Sequence, residues 1–291
     1  MARIRPELEV RVWPDIGDPA EIDYALVWRP QTGLLAGLPN LKLILSLGAG
    51  VDHVLKDPQL PRGVPIVRLV DPYLIDAMSE YVSLQVLRLH REDLDYRAQQ
   101  AAEIWRELPQ KNACQRPVGI LGFGEIGRDA ARKLAALGFP VSGWSRGNNT
   151  IADFVTYADA EGLLQLLRAT EILVCLLPLT AETEGILCAR TFAQLPYGAS
   201  LINAGRGAHL VEDDLIPALT SGQLSGAALD VFREEPLPPG HPFWHHPRIL
   251  VTPHIAGVTN PATAAAVILD NIRRYEQGEP LLNQVDPARG Y

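Results

Sequence analysis

Cysteine is scarce in this chain: Cys114, Cys175 and Cys188 are its only three, and no two stand at CxxC spacing. That argues against a disulfide framework or a cysteine-based zinc module, and a reduced, cytoplasmic setting is expected. Cys175 lies inside Ile172-Leu173-Val174-Cys175-Leu176-Leu177, an apolar run that reads as core. Long hydrophobic runs are missing too. No stretch approaches the roughly 18 uncharged apolar residues of a membrane span, so no membrane partner is expected. The opening Met1-Ala2-Arg3-Ile4-Arg5-Pro6-Glu7 has neither the apolar centre nor the cleavage site of a secretory signal. Positive charge is in deficit, with 26 Lys and Arg against 34 Asp and Glu. A nucleic-acid backbone is therefore a poor partner, and clusters such as 128–133 read as solvated helix faces.

What is present is alternation. The 291 residues exceed what one hydrophobic core usually organises, so two domains are expected. Short β-branched or Leu-rich runs at 8–13, 24–28, 41–47 and 66–69 read as strands. From 75 to about 102 the pattern turns helical, with Met78, Val82, Val86 and Leu89 at spacings of three and four. Strands resume at 118–121, 141–144, 172–176, 199–203, 227–231 and 249–251, with helices at 126–137 and 163–168 between them. The stretch 234–247, rich in Pro and His, reads as loop, and a last helix covers 261–277. Strands alternating with helices predict an α/β fold of two doubly wound parallel sheets. The expected domains are a discontinuous one, 1–82 with 264–291, and one spanning 83–263.

A strand at 118–121 runs directly into Gly122-Phe123-Gly124-Glu125-Ile126-Gly127, and a helix follows. In that context GxGxxG points to a dinucleotide. Gly122 permits the tight turn, Gly124 lets the backbone approach a pyrophosphate, and Gly127 lets helix and strand pack closely. The helix start offers free N–H groups to the phosphates. The next strand ends in Trp144-Ser145-Arg146, with Asp153 the first carboxylate beyond. An acid here would hold the ribose 2′-OH of NAD, whereas Ser145 and Arg146 suit a 2′-phosphate. NADP is favoured over NAD, the plain alternative being that Arg146 is a surface loop residue.

Three further residues stand just past later strands: Arg206 in Asn203-Ala204-Gly205-Arg206-Gly207, Glu235 in Arg233-Glu234-Glu235-Pro236, and His254 in Thr252-Pro253-His254-Ile255. Ligands of open α/β sheets bind beyond the carboxyl ends of the strands, so these loops are expected to converge. Reduction of a 2-oxo acid needs that set. Arg206 would offer a planar fork to carboxylate and carbonyl oxygens. His254 would deliver the proton, and Glu235 would accept a hydrogen bond from its other ring nitrogen. Taken singly, each has a plain structural reading as surface turn, core imidazole or solvated carboxylate.

Together these motifs resemble the D-isomer-specific 2-hydroxyacid dehydrogenases from about Tyr24 to Gln284. Leu176-Leu177-Pro178-Leu179-Thr180 and His241-Pro242-Phe243-Trp244 are most similar to that family's glyoxylate/hydroxypyruvate reductase A branch. The resemblance implies a Rossmann nucleotide domain, a smaller flavodoxin-like substrate domain, and Arg206, Glu235 and His254 as catalytic residues. It implies cofactor contacts from Leu177, Pro178, Thr180, Thr183 and Ala204, with Asp230 at the nicotinamide carboxamide. It further implies substrate contacts from Trp28 and the N–H groups of Ala49, Gly50 and Val51, closure of a cleft between the domains, and a homodimer formed through 75–105. Against the family pattern, 1–8 reads as the tail of a first helix, so a first strand and helix of roughly 20 residues are expected to be missing. A nucleotide-sensing regulator, or a dehydrogenase for another 2-hydroxy acid, is the alternative. A hydrolase with a metal on His241, His245 and His246 is disfavoured, because Pro242 and Pro247 mark a loop.

Overall fold

Tyr24–Val27 (β1), Leu43–Ser46 (β2) and Ile66–Val67 (β3) pair in parallel as a three-stranded sheet in the order β1-β2-β3. They belong to the smaller of two units into which the computed structural model divides: Met1–Leu74 with Thr259–Tyr291, and Ile75–Val258. The structure describes residues 5–147 and 153–290. β2 is buried at all four positions, as a parallel strand covered on both faces must be. Its alternating side chains feed two cores. Ile44 joins Val27, Val51, Val54 and Val285. Leu43 and Leu45 join Val67, Leu69 and the Ala264, Ile268 and Ile272 stripe of the last helix, Pro261–Gln277.

The strand expected at 8–13 is not formed. Its alternation has the β period, but Val10, Val12 and Trp13 are half or more exposed, and the segment makes only an isolated bridge between Val12 and Asp15. A strand needs a neighbour to accept its backbone groups, and none pairs with this segment among the described residues. Residues 5–8, expected to be helical, form a turn closed by the Leu8 N–H on Arg5 O at 3.2 Å. Met1–Ile4 lie outside the described residues.

After α1 (Asp52–Leu55), the helix expected over 75–102 is two helices, α2 (Pro72–His90) and α3 (Asp93–Ala101). Glu92 at φ 57° breaks them, and the Asp93 carboxylate collects Arg88 and Arg97 at 2.9 Å each. Val82, Val86, Leu89 and Leu94 bury against Val118, Ile120, Leu134 and Ile202. The larger unit therefore begins at Ile75 rather than 83, and the last helix lies wholly in the smaller unit.

The larger unit carries β4 (Val118–Leu121), α4 (Glu125–Ala136), β5 (Val141–Trp144), β6 (Val155–Tyr157), α5 (Asp159–Arg168), β7 (Ile172–Cys175), α6 (Ala189–Phe192), β8 (Ala199–Asn203), α7 (Glu212–Thr220), β9 (Leu224–Leu229) and β10 (Ile249–Val251). The seven strands are parallel in the order β10-β9-β8-β7-β4-β5-β6, with the winding reversing at β4. That is the dinucleotide-binding arrangement. β9 starts at Leu224 rather than 227 because Leu224 pairs with Ala199 and the Ser225 hydroxyl meets that of Ser200 at 2.8 Å. The short edge strand β6, α6 and the Pro217-containing α7 stand beyond the elements expected from sequence.

Candidate active site

Arg206, Glu235 and His254 follow the neighbouring strands β8, β9 and β10 at their carboxyl ends, and the turn Gly122–Gly127 follows β4. Parallel pairing puts all four loops along one edge of the sheet. Glu235 Oε2 lies 2.9 Å from His254 Nδ1, and its Oε1 accepts the Phe232 N–H at 3.1 Å. An ionised carboxylate only accepts, so Nδ1 carries the proton in this pair and Nε2 is the atom left to meet a ligand. Gly207 brings the Arg206 turn against the same loop. A Cβ there would sit 1.8 Å from the Phe232 carbonyl carbon, so only glycine fits.

His254 sits at φ 54°, a conformation that costs a non-glycine residue about 1–3 kcal/mol unless its surroundings hold it. Asp230 supplies the hold. Its carbonyl accepts the His254 N–H at 2.8 Å, Oδ1 accepts the Ile255 N–H at 2.9 Å, and Oδ2 accepts the Ala256 N–H at 2.8 Å. Oδ1 also accepts the Thr252 hydroxyl at 2.6 Å, and Thr252 meets the Tyr81 hydroxyl at 2.8 Å. Because Thr252 gives its proton to the carboxylate, Tyr81 is the donor in that last bond. Burial holds the Tyr81 phenol well above its ordinary pKa, so it stays protonated.

Asn203 shapes the Arg206 turn. Its Oδ1 accepts the Gly205 N–H at 3.2 Å, and its Nδ2 donates to Arg206 O at 3.1 Å. Arg206 Nη1 donates to Gly205 O at 2.8 Å. The Arg206 N–H donates to Nδ1 of buried His209 at 3.0 Å, and His209 Nε2 lies 3.3 Å from Pro178 O. Neither His209, Thr252 nor Tyr81 was singled out from sequence. His209 stands three residues after Arg206, a local cue. Tyr81 lies 171 positions from Thr252 and offers none.

At the glycine turn, Gly122 has φ 97° with its backbone against Leu176, and a Cβ on Gly127 would meet Gly122 O at 2.3 Å. A Cβ on Gly124, by contrast, would meet no protein atom within 4 Å, which leaves the room a pyrophosphate needs beside the first-turn N–H groups of α4. Glu125 and Ile126 supply two of those groups. The Phe123 ring is buried against Phe154 and Gly143, so only its backbone can face a cofactor. Leu177 and Ala204 are also buried. Thr183 holds the loop after β7, accepting the Thr180 N–H and donating to Pro178 O at 2.8 Å each. At the end of β5, Ser145 Oγ donates to Gly147 O at 3.0 Å, and the Arg146 guanidinium stands 3.8 Å from the exposed Glu182 carboxylate. These residues fit a nucleotide carrying an added phosphate.

In the smaller unit, β2 runs into Gly48-Ala49-Gly50-Val51 ahead of α1. The Val51 side chain is core, so any ligand would meet its backbone alone. Trp28 is half-exposed, its ring centroid 5.0 Å from that of His53, and it covers Gly48 closely enough that a Cβ there would lie 2.4 Å from the indole.

A family model described as "D-isomer specific 2-hydroxyacid dehydrogenase, NAD binding domain" matches residues 84–256. A protein from Serratia proteamaculans named glyoxylate/hydroxypyruvate reductase A is 45% identical over 98% of this chain and 93% of its own. Among solved structures, a D-isomer specific 2-hydroxyacid dehydrogenase from Xanthobacter autotrophicus Py2, in complex with NADPH and MES, superposes with TM-score 0.94 at 44% identity, covering 100% of this chain and 93% of that one. An NADPH-dependent glyoxylate/hydroxypyruvate reductase from Sinorhizobium meliloti, in complex with NADP and sulfate, gives TM-score 0.91 at 46% identity over 95% of this chain and 88% of its own.

Proposed function

Since the chain belongs to the D-isomer specific 2-hydroxyacid dehydrogenases, we propose that it reduces a small 2-oxo acid of the glyoxylate and hydroxypyruvate type to the 2-hydroxy acid with NADPH. The observation that carries this is the Glu235–His254 pair, 2.9 Å apart, with Gly207 packing the Glu235 loop against the Arg206 turn. Bound NADPH supplies the hydride. His254 Nε2 delivers a proton to the substrate's carbonyl oxygen as charge develops there, and Glu235, holding Nδ1–H, balances the ring. Arg206 orients the carboxylate and polarises the carbonyl with its fork of donors.

NADP rather than NAD is supported by Ser145 and Arg146 at the end of β5, where an acid would otherwise hold the 2′-OH. Two structures of similar fold bind the phosphorylated cofactor, and the protein is 44% and 46% identical to them. Steady-state rates for glyoxylate, hydroxypyruvate, pyruvate and phenylpyruvate with both nicotinamides test the reading. The two small acids with NADPH should give the highest kcat/KM, and an absence of NADPH oxidation with every acid would reject it.

A reduced, cytoplasmic homodimer completes the proposal. All three cysteines are free, and no helix among the described residues is long and apolar enough to cross a membrane. Leu84 and Leu87 of α2, Tyr96 of α3, and Ile104 and Trp105 beyond it are exposed, Trp105 at 98%. An apolar surface of that kind fits a second copy. Light scattering should give twice the 31.8 kDa chain mass.

A further inference from the structure

We propose that His209 is a positioning residue for Arg206, a role that rests on the reductase reading above. The imidazole is fully buried, and both of its ring nitrogens are engaged. Nδ1 accepts the Arg206 N–H at 3.0 Å and is therefore unprotonated, which leaves the proton on Nε2, 3.3 Å from Pro178 O. One neutral tautomer satisfies both bonds. The ring also lies against Gly205, where a Cβ would stand 2.9 Å from Nδ1.

The backbone completes the grip. The His209 N–H donates to Arg206 O at 3.1 Å, the same oxygen that takes the Asn203 amide. His209 O accepts the Leu187 N–H at 2.9 Å, and Ala208 O accepts that of Gly185 at 2.9 Å. His209 thus engages both peptide groups of Arg206, one through its ring and one through its backbone, while it is itself anchored to the segment after β7. The direction in which the Arg206 side chain leaves the backbone is set from this buried residue. The Pro178 end is less dependent on the imidazole, because the Thr183 hydroxyl bonds the same carbonyl at 2.8 Å. Loss of the ring should therefore disturb the arginine more than the loop that would line a cofactor.

An asparagine at 209 keeps an acceptor at the place of Nδ1 and loses Nε2, whereas a glutamine reaches the place of Nε2 and loses Nδ1. His209→Leu removes both. For glyoxylate and NADPH, His209→Leu should lower kcat/KM by about 10²-fold, the size expected from misplacing a substrate clamp by an ångström. His209→Asn should recover most of the loss and His209→Gln little. NADPH affinity, read by fluorescence, should move less than about 3-fold, since the binding turn at Gly122–Gly127 is untouched. In an Arg206→Gln background, His209→Leu should cost almost nothing further, whereas a purely structural histidine would cost the same factor in both backgrounds. If His209→Leu does not fold, the order of the Asn and Gln variants decides, and Gln equal to or better than Asn overturns the proposal. An activity-free arm uses the full chain labelled with ¹⁵N-histidine: the His209 resonances should be those of the Nε2–H tautomer, and an Nδ1–H tautomer or an imidazolium would overturn the assignment. A wild-type protein without 2-oxo-acid reduction would remove the reductase reading, while the tautomer and cofactor-affinity arms would still report on His209.

Discussion

Glu235 and His254 are joined by a 2.9 Å bond between Oε2 and Nδ1, while the carboxylate's other oxygen receives the Phe232 N–H at 3.1 Å. Both neighbours are donors, so the carboxylate is the group that satisfies both. A glutamine has one acceptor and one donor, and it must fail one of the two. Glu235→Gln should lower kcat about 10²-fold or more, and His254→Gln about 10³-fold, within the range of general acid–base contributions. NADPH affinity, measured by fluorescence titration, should be nearly unchanged in both. A His254→Gln enzyme with wild-type kcat would remove the imidazole from the reaction.

Under the proposed function, the cofactor preference rests with Arg146 and Ser145. The Arg146–Glu182 separation of 3.8 Å is a loose, exposed pairing that a dianionic phosphate outcompetes. Arg146→Leu should reduce the NADPH-to-NADH ratio of kcat/KM by about 10-fold, the order of one lost charge-assisted bond. Combining it with Ser145→Asp should carry the preference toward NADH. Initial rates with the two cofactors at a fixed glyoxylate concentration read the change, and an unaltered ratio would assign the 2′-phosphate to other residues.

Gly207→Ala tests the packing that joins two loops. A Cβ 1.8 Å from the Phe232 carbonyl carbon cannot be accommodated unless the β8 and β9 turns separate. Overpacking of this kind costs about 1–3 kcal/mol, so the variant should fold with a lowered Tm. Because the displaced turns carry Arg206 and Glu235, kcat/KM should fall by about 10²-fold. Calorimetry and kinetics on one preparation separate these effects.

Asp129 of α4 makes an acid-sensitive link to α2. Burial would raise its carboxyl, but hydrogen bonds from Ser79 at 2.7 Å and from Lys133 outweigh it and hold the pKa below the ordinary aspartate value. A depressed folded-state pKa means stability that is present above the unfolded value and lost as pH falls through the folded one. Asp129→Asn should therefore lower Tm at neutral pH, with the difference from wild type shrinking below about pH 4, the ordinary aspartate range. A gap that persists unchanged into acid would mean the amide itself, rather than the lost charge, destabilises the helix pair.

Much of the candidate site was legible because its chemistry is local. Gly122–Gly127, Arg206, Glu235 and His254 each stand just past an apolar run, and a parallel sheet delivers such positions to one edge. For Asp230, expected as a cofactor contact, the structure adds burial, with both carboxylate oxygens receiving donors from the His254 loop. Phe123 likewise turns inward. A burial decision of this kind depends on neighbours far along the chain, and a single sequence does not display them. The segment 8–13 illustrates the same point, since a β-period pattern without a pairing strand stays exposed.

The residues alone determined which backbone positions had to be glycine at the nucleotide turn, where strands would end, and which side chains could clamp a carboxylate and pass a proton. Those are consequences of sterics, periodicity and functional-group chemistry within a few residues. Only the tertiary structure decided that Gly207 presses two loops together, that His209 takes the Arg206 N–H, and that Tyr81 reaches Asp230 through Thr252. Hydrogen bonds and close packing act through space over a few ångströms, and which residues come that close is set by the order of the strands in the sheet.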